Sequence, residues 1–163
     1  MKRFNKWLLA NIFLYVCLAT NYAQTSTIQR DATIFEMIEQ ISSSNLENNI
    51  RKMVSFDTRH TFSTRSDKEK GIGAACNWVK NEFEKFGKES HGRLEVKLDS
   101  VYLEPDGKRI TRKVLLTNVM ATLKGTDPND KRVFIVGGHL DSRNSEPIDS
   151  VGTAPGANVD ASG

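Results

Sequence analysis

Cysteine is scarce in this 163-residue chain, which carries only Cys17 and Cys76. Cys17 lies in an apolar N-terminal run, so residues 24–163 hold one thiol and an intrachain disulfide within them is excluded. Cys76 stands among apolar residues at helical spacing, which suits a buried structural thiol better than a nucleophile. Val16 before Cys17 departs from a lipobox, which argues against a lipoprotein. Internal repeats and low-complexity tracts are absent, so the chain is not a repeat array. No G-x-S-x-G occurs, and neither Ser142 nor Ser162 has triad spacing, which argues against a serine hydrolase.

A long apolar run is missing as well. Trp7–Ala19 is too short to span a bilayer comfortably. Behind Lys2, Arg3 and Lys6 it has the layout of a signal peptide, and Ala23–Gln24 is the expected cleavage point. The expected organisation is therefore residues 1–23 as signal and 24–163 as part of one domain. The alternative is an uncleaved anchor. The excess of one sign of charge also disappears on this reading. The whole chain has 23 basic and 20 acidic residues, and three of the basic ones lie in the signal. The remainder is formally neutral, which implies neither a nucleic-acid partner nor stable membrane association. The expected location is secreted or periplasmic.

What is present follows a change of hydrophobic period. Ile34, Met37, Ile38 and Ile41 predict a helix over 31–41. Ser44 with Glu47 reads as a capping box for a helix over 46–55. Residues 56–66, FDTRHTFSTRS, read as a polar loop. Ser66 with Glu69 opens a long helix to Phe86, with Gly87 as its C′ residue and Gly71 and Gly73 weakening its first turn. Asp67–Lys70 read as its solvated first turn, and Trp78 as a packing residue. Leu94, Val96 and Leu98 then alternate, as do Val101 and Leu103. Glu104-Pro105-Asp106-Gly107 signals a turn, and 110–123 the returning strand of a hairpin. Val133–Val136 is continuously apolar, which suits a strand buried on both faces. The predicted class is α/β, a three-layer sandwich with a mixed central sheet.

The chemistry gathers after that run, in VFIVGGHLDS and APGANVDASG. His139 and Asp141 are two apart, so an extended backbone turns both to one side. An imidazole there can bind a metal while the carboxylate orients it, and zinc suits those ligands. On those five residues alone, a solvated histidine at a strand end is the favoured reading. The second element adds a Pro-Gly turn and a carboxylate, Asp160, which favours the metal. His60 reads as a hydrogen-bonding residue of its loop and His91 as solvated.

These two elements resemble the zinc aminopeptidase family that also includes the glutaminyl cyclases and transferrin-receptor-like ectodomains. SFDTRHTFS and GIGAACNWVKNEFEKFG agree with the lead-in of its bacterial members. The resemblance covers roughly 46–163. It implies a zinc-exopeptidase-like fold, two zinc ions per complete domain, and removal of N-terminal residues from peptides with a free amino terminus. It implies His139 as a zinc ligand and Asp141 as the carboxylate supporting it. Ungapped, it sets Val159 at the bridging position of an aspartate, with Asp160 beside it as a weaker ligand candidate. The resemblance implies a Glu-Glu pair, an Asp and a His in later segments, so residues 1–163 alone are expected to be inactive. A metal-free binding ectodomain, which Val159 favours, and a single-zinc glutaminyl-cyclase-like acyltransferase are the alternatives.

Overall fold

The computed structural model describes residues 31–154 and 156. The expected signal, Val159 and Asp160 lie outside them. No described helix is long and apolar enough to cross a membrane. The chain divides into two units, 1–41 and 42–163.

In the first unit α1 spans Ala32–Glu39. The Asp31 carboxylate caps it by accepting from the amides of Thr33 and Ile34.

The second unit opens with α2, Ser43–Ser55. Its cap is Ser42, whose Oγ accepts from Asn45 N at 3.3 Å. Ser44, the expected cap, is helical and shares a hydroxyl hydrogen bond with Ser42. Ser42 lies far enough ahead for its oxygen to reach the third amide of the turn. Asp57, at φ 65°, turns the chain out of α2 into residues 58–66.

The next helix, α3, spans Gly71–Gly87 and starts later than Ser66. It has no side-chain cap of its own at Lys70. Instead its first amides are taken by the preceding loop: Gly71 N by Phe56 O, Ile72 N by Ser63 Oγ and Gly73 N by Thr64 O. Asp67 accepts from Glu69 N and Lys70 N, and these amides hold its carboxyl below the usual carboxylate range.

The glycines permit this docking. A Cβ on Gly73 would lie 2.5 Å from both the Cα and the carbonyl oxygen of Arg65. In an ordinary helix interior, Gly to Ala stabilises by about 0.5–1 kcal/mol. Here the neighbour is backbone, so overpacking of about 1–3 kcal/mol should win. Gly73→Ala is expected to lower the denaturation midpoint; a midpoint raised above wild type would show that the close approach is absent.

Gly87 is not the left-handed terminator. It keeps helical dihedrals, and a short 3-10 turn, Lys88–Ser90, follows. His91 at φ 52° and Gly92 at φ 79° make the reversal, and His91 is exposed.

The hairpin forms as expected. β1, Leu94–Leu103, pairs antiparallel with β2, Val114–Leu123, in a register from Leu94↔Leu123 to Leu103↔Val114. The return strand begins four residues later than its apolar pattern, because Asp106 holds the loop. Its carboxylate accepts from Lys108 N and Ile110 N, and its own amide donates to Ile110 O. α3 packs across both strands.

Met53, Phe56, Ala74 and Ala75 form the core cluster, with Trp78, Val79 and Leu140 packed against it. Trp78 thus packs, its ring centroid 6.1 Å from that of Phe56. Cys76 is buried beside Thr117 O, and burial pushes its thiol pKa up, as for a structural thiol.

Two further expectations fail. Residues 56–66 are polar in composition but much of the segment is buried: Phe56, Thr58, Arg59, His60 and Ser63 are all interior. Hydrogen bonds to their polar atoms make that burial affordable. Val133–Val136 is not a strand, and its residues are 80–99% exposed. The sheet among the described residues has two strands, and neither pairs with this run. An apolar segment becomes an inner strand only when ladder partners take its amides and carbonyls.

Candidate metal centre

The segment Gly138–Ser142 is shaped from beneath. Leu140 packs against the core cluster and Ser142 is 2% exposed. His139 and Asp141, the alternate residues, are exposed on the other side. This is the two-residue alternation of an extended backbone, without a sheet to impose it.

The His139 Nδ1 lies 3.1 Å from the carbonyl oxygen of Asp141 and 3.4 Å from its Oδ1. A carbonyl only accepts, so Nδ1 is the donor in this hydrogen bond. Both oxygens come from Asp141, and its backbone oxygen is the nearer acceptor. An oxygen partner at one ring nitrogen is also how a zinc-ligating histidine is usually oriented.

Both residues line a cleft of about 860 Å³ walled by α2, α3, β2 and residues 136–141. Among the described residues no group of three or more His, Cys, Asp or Glu gathers to hold a metal. These residues fit one imidazole ligand of zinc and the group that orients it, rather than a whole coordination sphere.

The other polar residues of this region are structural. Ser142 Oγ donates to Ala154 O at 2.5 Å and accepts from Arg59 N at 3.1 Å, so its proton is committed. His60 Nδ1 accepts from Phe62 N, which leaves Nε2 to donate to Pro147 O at 3.0 Å. It ties residues 58–62 to the loop after the site, the hydrogen-bonding role expected of it. In that loop Asp149 accepts from Gly152 N, Asn144 Nδ2 and Val151 N, which lowers its pKa.

Sequence reasoning missed Arg59. It is fully buried, with Nε donating to Leu140 O and Nη1 to Met53 O, each at 2.9 Å. The only signal for it was its place in TRHTFS, since arginine in a polar stretch ordinarily reads as solvated.

Comparison with known proteins agrees with this chemistry. The chain is 48% identical over 134 residues to a protein of Pyrenophora teres f. teres (strain 0-1) named probable zinc metalloprotease. The match covers 82% of this chain and 29% of that protein. Proteins of the same name from Pyrenophora tritici-repentis (strain Pt-1C-BFP) and Phaeosphaeria nodorum (strain SN15 / ATCC MYA-4574 / FGSC 10173) are 46% and 45% identical. Those matches cover 82% and 81% of this chain, and 31% and 26% of the relatives. The chain thus spans under a third of the length of these curated relatives. No protein-family model matches it. No solved structure matches it. The similarity supports a zinc metalloprotease relationship.

Proposed function

We propose that the complete protein is an exported zinc-dependent aminopeptidase that releases N-terminal amino acids from peptides. The observation that carries the proposal is the His139 ring, held through Nδ1 by Asp141 on the wall of a cleft, in a chain similar to proteins named as zinc metalloproteases. Zinc supplies Lewis acidity, polarising a carbonyl and lowering the pKa of water. His139 would hold one ion, and Asp141 would fix the ring and raise its basicity. Asp160, in the second element, is the proposed further ligand, with two zinc ions per complete domain. The exposed run Val133–Val136 is proposed as an inner strand of a three-layer sandwich in the complete protein. An exposed contiguous apolar run supports that reading, because such surface ordinarily marks an interface.

The test is hydrolysis of leucyl-p-nitroanilide by the complete protein, beside the same substrate with its amino group acetylated. Cleavage of the free amine alone, lost with a zinc chelator and restored by zinc, is the expected result. Cleavage of internal bonds in blocked peptides would make it an endopeptidase. Val159 favours one competing reading, a metal-free binding ectodomain, since valine offers a metal no ligand atom. Zinc-free protein without hydrolytic activity would establish that reading.

A further inference from the structure

We propose that Arg59, acting with Ser142, is a positioning residue for the candidate metal histidine, an inference that rests on the zinc reading above. Arg59 has no exposed surface. Burying a guanidinium is costly unless its donors are used, so its interior placement needs an account.

Its bonds converge on the site segment. Nε donates to the carbonyl of Leu140, the residue between His139 and Asp141. The Arg59 amide donates to Ser142 Oγ, and Ser142 N donates back to Arg59 O at 3.4 Å. Residues 140 and 142 are thereby fastened from beneath, which sets 139 and 141 outward on the opposite side. Nη1 reaches the Met53 carbonyl in the last turn of α2. That end of a helix carries partial negative charge and favours a cation. One rigid fork thus spans a helix end and the carbonyl between the two site residues. Lysine, a point donor on a flexible stem, lacks the fork to hold both carbonyls in that geometry.

The structural alternative is that Arg59 serves only the core. It does not account for the aim of Nε at the Leu140 carbonyl, beside two bonds that pair the main chain of residue 59 with Ser142. Leu140 already packs through its side chain. Holding its carbonyl as well determines the rotation of the backbone, and hence where the ring of His139 stands.

The test measures zinc affinity of the complete protein by competition with a chelating dye, and the thermal midpoint of the metal-free form. The variants are Arg59→Lys, Arg59→Met, Ser142→Ala and, as a stability control in the buried start of β2, Val114→Ala. Arg59→Lys and Ser142→Ala are expected to weaken zinc binding about 10- to 100-fold, the range for groups that orient metal ligands. Arg59→Met should weaken it further. The absorption spectrum of the cobalt-substituted protein should change shape in all three, whereas Val114→Ala should lower the thermal midpoint and leave zinc affinity and spectrum unchanged. Should the Arg59 variants fail to fold, Ser142→Ala decides the matter, because it removes the hydroxyl and leaves the guanidinium in place. Zinc affinity within twofold of wild type in the folded variants would overturn the proposal while leaving the zinc reading intact. Wild-type protein whose zinc content is indifferent to His139→Ala would overturn both.

Discussion

Replacing His139 with alanine should lower zinc affinity of the complete protein by more than about 100-fold, beyond the loss typical of a merely orienting group. Hydrolysis should fall with the metal. The fold should not: the His139 side chain is 55% exposed, and substitutions at such positions usually change stability by no more than about 0.5 kcal/mol. Asp141→Asn is the informative partner. The nearer acceptor for Nδ1 is the backbone oxygen of Asp141, which asparagine keeps. Its loss should therefore sit at the low end of the outer-group range, about tenfold. Zinc content by mass spectrometry and affinity by dye competition check both variants. Full zinc loading of His139→Ala would remove this residue from the site, and equal losses for the two variants would mean the carboxylate itself ligates.

Phe56→Ala should be the most destabilising single change in the described core. Phe56 is 1% exposed, lies in the core cluster beside Met53, and faces Trp78. Lys52 Nζ also sits 4.7 Å from its ring centroid. Truncating a buried phenylalanine costs about 3–5 kcal/mol, a large share of the 5–15 kcal/mol that holds a typical domain together. A fall in the thermal midpoint of roughly 10 °C or more is expected. Phe56→Leu should recover most of it by refilling volume. A loss under about 1 kcal/mol for the alanine variant would mean that the stabilising core lies elsewhere in the complete protein.

The same residue shows where pattern reading reaches its limit. Phe56 opens a stretch that reads as a polar loop, since periodicity registers neither an isolated aromatic nor polar side chains that bond inward. Arg59, His60 and Ser63 are interior because their partners, Leu140, Pro147 and Ile72, come from later in the chain. Leu140 and Pro147 lie 81 and 87 residues away, outside any local window. The start of α3 has the same cause. A capping box at Ser66 and Glu69 is locally reasonable, yet the helix begins at Gly71, where the loop takes its amides. Two glycines that look like weak helix formers are the positions at which the loop comes closest.

Some features follow from local chemistry, and these were legible in the chain alone. Apolar spacing suffices to predict helices over 31–41, 46–55 and 66–86 and a hairpin after 94, each overlapping an observed element at 32–39, 43–55, 71–87 and 94–123. The two-residue spacing of His139 and Asp141 likewise suffices to turn both to one side and bring carboxylate and ring together. Tertiary structure decided what depends on distant partners. It determined that Arg59 lies inside and that Ser142 spends its hydroxyl on the fold. It also determined that Val133–Val136, apolar enough for an inner strand, stays unpaired among the described residues. The physical reason is common to all three. Hydrophobic period and turn chemistry are properties of neighbouring residues, whereas burial of a charge, commitment of a proton and completion of a ladder depend on partners brought together only by folding.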